Sequence, residues 1–185
     1  MRSYFKISSG AFKGRKISFI TSSLLRPTSS KLREILFNWI QFEINKSIVL
    51  DLFAGTGSLG FEAISRGAAH STLIEKNKKH YKGINDSIKL LGIEKSCKVY
   101  FKDSFEWLKK TETNLSKYDF IFIDPPFSKN FEEKILRILL NKKLKQSCKI
   151  YIEHSKFDDI YLSEDFEIIK EREIGNVKAL LLKRI

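Results

Sequence analysis

The stretch Ile48-Val49-Leu50-Asp51-Leu52-Phe53-Ala54-Gly55-Thr56-Gly57-Ser58-Leu59-Gly60 constrains the fold of this chain more than any other. A short apolar run ends at an acid, meets three glycines spaced Gly-x-Gly-x-x-Gly, and opens into a helical pattern at Leu59-Gly60-Phe61-Glu62-Ala63-Ile64. The spacing predicts a strand, a tight turn and a helix. Glycines at such a turn let a ligand approach the backbone, and the first turn of the helix offers N–H groups with no partner inside the helix. A nucleotide-like ligand is expected there, although dinucleotide-binding turns and plain packing turns share the spacing.

From Ile48 onward, strand and helix patterns alternate. Strands are predicted over 48–52, 71–74, 98–101, 120–123 and 150–152, and helices over 59–66, 78–91, 104–110 and 132–140. Repeated βα units imply an α/β fold with a parallel sheet covered on both faces. After Glu153 the pattern changes. Two strand-like runs, 166–172 and 177–183, flank Ile174-Gly175-Asn176 and read as a hairpin that closes the sheet in antiparallel fashion.

Upstream, Ser3-Tyr4-Phe5-Lys6-Ile7-Ser8 and Arg15-Lys16-Ile17-Ser18-Phe19-Ile20 alternate with the strand period and predict a β-hairpin with a basic tip. An isolated hairpin is marginal in water. Its expected support is a helix that follows the break and cap Arg26-Pro27-Thr28-Ser29-Ser30 and carries Leu32, Ile35, Leu36, Trp39 and Ile40 at helical spacing. With 185 residues, the chain suits one main domain over 48–185 preceded by this smaller unit over 1–47.

Net charge is the unusual bulk property, at +12. It points to a polyanionic partner, and its distribution sharpens the point. Residues 1–47 hold nine basic residues (Arg2, Lys6, Lys13, Arg15, Lys16, Arg26, Lys31, Arg33, Lys46) against Glu34 and Glu43, a local net of +7. Lys13, Arg15, Arg26, Lys31 and Arg33, with Thr28, are candidate phosphate contacts; a solvated basic face is the plainer alternative.

No apolar run approaches the roughly 20 residues of a membrane span, and Met1-Arg2-Ser3-Tyr4-Phe5-Lys6 lacks the apolar core of a signal peptide, so a cytoplasmic location is expected. Cys97 and Cys148 lie in strand-like runs and read as buried thiols. His70, His80 and His154 stand at no ligand spacing with them, so no metal is expected. Trp39 and Trp107 occupy apolar helical positions and read as core.

Glu75, at the end of the second strand, is placed to accept hydrogen bonds from ribose hydroxyls. Asp103, with Ser104, follows the third strand and is placed to border an adenine, and it fits a helix N-cap equally well. The sharpest motif is Asp124-Pro125-Pro126-Phe127, directly after the apolar run Phe120-Ile121-Phe122-Ile123. Proline fixes φ and ends ladder pairing, making a rigid corner at the strand's carboxyl end, where open α/β sheets bind ligands. A carboxylate, a proline carbonyl and an aromatic ring suit a planar group bearing an amino function: two acceptors for its N–H protons and a face to stack on.

Together, Asp51-Leu52-Phe53-Ala54-Gly55-Thr56-Gly57, Glu75 and Asp124-Pro125-Pro126-Phe127 resemble the S-adenosylmethionine-dependent methyltransferases that modify exocyclic amines. Ser9-Gly10-x-x-Lys13-Gly14-Arg15, Arg26-Pro27-Thr28-Ser29 and Arg33-Glu34-Ile35-Leu36-Phe37-Asn38-Trp39 narrow the resemblance to the bacterial 16S ribosomal RNA guanine-N2 methyltransferase family. The resemblance implies a Rossmann-like class I methyltransferase fold, with a seven-stranded, mostly parallel sheet and an antiparallel last strand. It implies S-adenosylmethionine held by Asp51, Phe53, Ala54, Gly55, Thr56, Gly57 and Glu75, with Asp103 and Ser104 near the adenine. Asp124, the Pro125 carbonyl, Pro126 and Phe127 would hold the guanine, in 16S ribosomal RNA or a small-subunit particle, and a monomer is expected.

Three other classes share parts of this pattern. A nicotinamide-dependent oxidoreductase leaves Asp51, Asp124-Pro125-Pro126-Phe127 and the basic arm unexplained. Methyltransferases acting on adenine N6 or a glutamine amide typically carry Asn where this chain has Asp124. A non-catalytic RNA-binding or assembly module would need no intact glycine turn.

Overall fold

The computed structural model describes residues 2–20, 29–110, 114–126 and 130–185. The N-terminal hairpin is present as an antiparallel pair, β1 (Arg2–Lys6) and β2 (Lys16–Ile20), in register from Arg2↔Ile20 to Lys6↔Lys16. Helix α1 (Ser30–Trp39) follows, its N-terminus capped by the Ser29 side chain accepting from the Leu32 N–H. Next come β3 (Ile48–Asp51), α2 (Ser58–Ser65), β4 (His70–Glu75), α3 (Lys78–Leu91), β5 (Cys97–Phe101) and α4 (Ser104–Lys109). The remainder is β6 (Phe120–Ile123), α5 (Phe131–Leu140), β7 (Lys149–Ser155), β8 (Phe166–Ile174) and β9 (Val177–Arg184).

Seven strands form one sheet in the order β5-β4-β3-β6-β7-β9-β8. The pairs among β5, β4, β3, β6 and β7 are parallel, and β9 runs antiparallel to both β7 and β8. The chain therefore winds outward from β3 to β5, returns to lay β6 on the other side of β3, and continues to β7. That reversal is a topological switch point, and the crevice outside the carboxyl ends of β3 and β6 is where such sheets take ligands.

Strand alternation divides the core in two. Leu50, Ile121, Ile123, Ile150 and Ile152 belong to one apolar cluster, whereas Val49, Phe120, Phe122 and Tyr151 belong to the other. All four residues of β6 are buried, as a central parallel strand requires. Gly60 shows how closely α2 lies on the sheet: a Cβ there would come within 2.3 Å of Leu73 Cδ2 on β4.

The hairpin is supported more broadly than its sequence suggests. Besides α1, it leans on α2 and α3: the Phe5 ring stacks on Phe61 of α2 at 6.4 Å, and β2 lies along α3. Its tip is fastened to the end of α2. The Ala11 N–H donates to the Ser65 carbonyl (2.7 Å), the Phe12 N–H to Ser65 Oγ (3.0 Å), and that hydroxyl to the Ser9 carbonyl. Gly10, at φ +81°, makes this approach possible, because a Cβ would stand 1.7 Å from the Ser65 carbonyl oxygen. Cys97 and Cys148 are buried free thiols, each pushed up to about 12 chiefly by burial. Trp39 and Trp107 pack against the two apolar clusters, one on each. Among the described residues, no helix is long and apolar enough to cross a membrane.

Candidate active site

Four strands end in the same way. β3 ends at Asp51, β4 at Glu75, β6 runs into Asp124, and β7 carries Glu153 near its end. Their alternation places all four carboxylates on one face of the sheet, since each lies two residues beyond Val49, Leu73, Phe122 and Tyr151 of the same apolar cluster. They line a single cavity of about 380 Å³. With strands about 4.8 Å apart, the row from Glu75 to Glu153 spans roughly 14 Å.

The cofactor half of the cavity is built by the glycine turn. Gly55 and Gly57 adopt left-handed φ of +55° and +79°, and Gly57 is the residue from which α2 starts. A Cβ on Gly57 would stand 2.7 Å from the Phe61 ring, so that residue lies behind the cavity wall while Phe53, Ala54, Gly55 and Thr56 form it. Glu75 locks the turn to the neighbouring strand. One of its oxygens accepts from the Gly55 N–H at 2.8 Å and the other from the Asn77 N–H at 2.6 Å. Burial raises the Glu75 pKa, and those two N–H groups oppose the rise. A solvated strand end is thereby excluded for Glu75, which is 8% exposed.

Asp51 is 1% exposed, and its pKa is pushed up to about 8, first by burial and then by the charge of Asp124, with the Phe53 N–H opposing and Glu75 adding. A cation brought into the cavity relieves this crowding. A turn that lets a ligand reach backbone, a carboxylate at the ribose position and an excess of negative charge fit a cationic nucleoside such as S-adenosylmethionine. The same charge disfavours the pyrophosphate of a dinucleotide. His80 also borders the cavity, 3.9 Å from Glu75, with its pKa lowered by burial.

Asp103 and Ser104 divide. Asp103 caps α4, accepting from the Phe105 N–H at 2.9 Å, and lies 3.5 Å from Lys76 Nζ. Ser104 is buried, reaches the cavity wall, and donates its hydroxyl to the Leu52 carbonyl, tying the start of α4 to the end of β3. In the other half, Asp124 is half-buried, Pro125 buried and Pro126 exposed, all three on the cavity; Phe127 lies outside the described residues.

Arg33 is a correction. Read from the sequence as a phosphate contact, it is 2% exposed: it donates to the Lys6 carbonyl at 2.8 Å and stands 3.5 Å from Glu62, itself fully buried. An arginine between Leu32 and Glu34 on an amphipathic helix looks like a surface charge. Here it falls beside Leu36 and Phe37 on the buried face because Glu62 meets it there. Burial lowers its pKa and Glu62 offsets part of that. Lys13, Arg15 and Lys31 are exposed, and Arg26 and Thr28 lie outside the described residues.

Two contributors escaped the sequence reading. Glu153 lines the cavity at 2% exposure and accepts from the Tyr151 hydroxyl at 2.8 Å, and the turn between β8 and β9, residues 174–177, closes the same side. A signal for Glu153 was there: Ile150-Tyr151-Ile152-Glu153 repeats the apolar-run-then-acid pattern of the other three strand ends.

The sheet order, the glycine turn and the acid-rimmed switch-point cavity define a Rossmann-like class I methyltransferase fold. The family described as "Conserved hypothetical protein 95" matches residues 5–183, and the chain belongs to that family. It is similar to "Ribosomal RNA small subunit methyltransferase D" of Buchnera aphidicola, with 42% identity over 95% of this chain and 91% of that one. A Haemophilus influenzae protein of the same description is 36% identical over 95% and 92% of the two chains. Among solved structures, "Putative methyltransferase yhhF" from Escherichia coli superposes with a TM-score of 0.88 at 29% identity, covering 98% of each chain.

Proposed function

We propose that this protein transfers a methyl group from S-adenosylmethionine to the exocyclic N2 amine of a guanine in small-subunit ribosomal RNA, in the cytoplasm. The single observation that carries the reading is the pairing, in one cavity, of the Gly55–Glu75 cradle with the Asp124-Pro125 corner. The relatives named above for small-subunit ribosomal RNA support the substrate class.

When bound, S-adenosylmethionine supplies a methyl group on a positively charged sulfur, which departs as a neutral thioether. The chain's own task is placement. Glu75 and the 53–56 turn hold the nucleoside, and Asp51, which ionises as a cation enters, holds positive charge in the cavity. The guanine amine is a poor nucleophile because its lone pair is conjugated with the ring. Asp124 accepts one of its N–H protons and the Pro125 carbonyl the other, which favours a pyramidal nitrogen with its lone pair turned toward the methyl. Asp124 is also the nearest sink for the proton released. Phe127 would stack on the base, which must leave its surroundings to enter.

Residues 1–47 act in this reading as an RNA-binding arm on a catalytic unit of residues 48–185. Exposed Lys13, Arg15 and Lys31, together with Arg26 and Thr28, hold phosphates. The test incubates the protein with labelled S-adenosylmethionine and either 16S RNA or small-subunit particles from cells lacking it, then maps the product by nucleoside mass spectrometry. N2-methylguanine at one position is expected. A product methylated elsewhere, or no product with both substrates, would overturn the assignment.

A further inference from the structure

The acceptors assigned so far recognise an amine but do not say which base carries it. Asp124 and the Pro125 carbonyl take two N–H protons, and the N6 amine of adenine offers two just as the N2 amine of guanine does. The bases differ at the neighbouring ring atom: N1 bears a proton in guanine and a lone pair in adenine. A reader of N1 must therefore be an acceptor beside Asp124.

Glu153 is such an acceptor. The β6–β7 ladder is parallel and in register through Ile123↔Ile152, so Asp124, just past the end of β6, and Glu153 of β7 are the residues that follow the last pair, where neighbouring strands lie about 4.8 Å apart. Both line the cavity and both lie on its Phe122–Tyr151 face. Glu153 is 2% exposed, and burying a carboxylate is costly unless its partners compensate. The Tyr151 hydroxyl, itself fully buried, donates to Glu153 Oε1 at 2.8 Å and fixes the direction of the carboxylate. That hydroxyl remains a donor, because burial, the Glu153 charge and Asp124 hold its pKa well above the usual phenol value. Residues 174–177 line the same cavity, and Val177 pairs with Ser155, two residues past Glu153.

We propose that Glu153 is a specificity-determining residue: its carboxylate, oriented by Tyr151, accepts the N1–H of the target guanine while Asp124 engages the N2 amine, so that a base with a lone pair at N1 is rejected. This rests on the guanine-N2 reading above. A carboxylate facing the N1 lone pair of adenine would be both unpaired and repelled.

The test uses RNA carrying 2-aminopurine at the mapped acceptor position. This base keeps the 2-amine but has a bare N1 and no O6. The wild-type protein should favour guanine over 2-aminopurine in kcat/KM by about 100-fold or more, as buried sites do when a substrate lacks a charged hydrogen-bond partner. Glu153→Gln presents an amide N–H to the bare N1 and should narrow that ratio by about 10-fold or more. The effect of the missing O6 is common to both proteins and cancels in the comparison. Wild-type protein that uses 2-aminopurine within about threefold of guanine overturns the proposal without any variant. So does a Glu153→Gln protein that loses activity equally on both bases, because a purely structural carboxylate predicts that result. If mass spectrometry finds no N2-methylguanine on unmodified RNA, the functional reading falls first and takes this proposal with it; N2-methylguanine with an unchanged base ratio overturns the proposal alone.

Discussion

Glu62→Ala should destabilise the protein by about 3 to 5 kcal/mol, although Glu62 is remote from the chemistry assigned to the cavity. The Glu62 carboxylate is fully buried and binds three segments at once. From the hairpin it accepts the Ser8 N–H (2.9 Å), the Ser8 hydroxyl (2.6 Å) and the Ser9 N–H (3.1 Å). From its own helix it accepts Arg66 Nε at 2.8 Å, and from α1 it faces Arg33 Nε at 3.5 Å. Hydrogen bonds to a charged group contribute about 1.5 to 3 kcal/mol each and are not additive within one network. The decisive term is what remains: an arginine 2% exposed, its Nε already without a hydrogen-bond partner, with only the exposed Glu34 as counter-charge. Breaking one side of a buried pair costs about 3 to 5 kcal/mol, against a total stability of roughly 5 to 15. Replacing both partners, Glu62→Leu with Arg33→Met, should recover part of the loss, leaving the Ser8, Ser9 and Arg66 bonds unmade. Urea unfolding followed by tryptophan fluorescence gives all four corners of the cycle: wild type, Glu62→Leu, Arg33→Met and the double variant. A Glu62→Ala loss under about 1 kcal/mol, or additive single losses in the double variant, would refute the buried-tie argument.

Three further outcomes are expected. Asp51 has its pKa raised from 3.8 to about 8, so between those values the folded chain keeps a proton that the unfolded chain releases; the favourable contribution present below pH 3.8 is lost as pH rises to 8, at up to about 1.4 kcal/mol per unit. Asp51→Asn should flatten that slope in urea titrations of the ligand-free protein, and parallel slopes would contradict the shift. Asp124→Ala should cut methyl transfer by about 10²- to 10⁴-fold with little change in cofactor affinity by calorimetry, and Asp124→Asn should retain more activity because its amide oxygen still accepts; equal activities would remove the orienting role. Lys13→Ala and Arg15→Ala should each lower the log–log salt slope of RNA binding by about 0.7 to 0.9, whereas an unchanged slope would restrict the arm to a folding role.

The elements and their layering were legible because strand and helix periods are local. The α3 span, 78–91, agrees with Lys78–Leu91, where Asn77 caps the start and Gly92, at φ +67°, ends the helix. Strand order was not legible. The sequence announces a closing hairpin but not that its second strand, β9, inserts between β7 and β8, since that choice depends on pairings such as Ser155↔Val177 between separate segments. The same pairing carries β7 beyond the expected 150–152 to Ser155, and so brings Glu153 inside the strand. Arg33 misled for a related reason. A charge on a helix is assigned to water by default, and only the tertiary meeting with Glu62 makes its burial tolerable.

Charge is arranged in two signs, and the arrangement bears on how an RNA would be handled. The chain is strongly basic at +12, with Lys13, Arg15 and Lys31 exposed near the N-terminus, yet its cavity is rimmed by Asp51, Glu75, Asp124 and Glu153. A uniformly basic cavity would draw phosphate as readily as base and hold the backbone where the base should be. Here the outer surface gains from every phosphate it neutralises, while the acidic interior repels phosphate and favours N–H donors and positive charge. Burial first, and then the charge of the neighbouring carboxylates, pushes the Asp51 pKa up to about 8. A bound cation lowers that value and releases the proton, so cationic S-adenosylmethionine should expel more protons on binding near pH 7 than its product, which lacks the sulfonium charge. Calorimetry in buffers of different ionisation enthalpy measures that difference directly. Equal proton release by the two ligands would show that Asp51 does not sense the sulfur's charge, and the electrostatic account of the cavity would have to be rebuilt around Glu75 and the ribose.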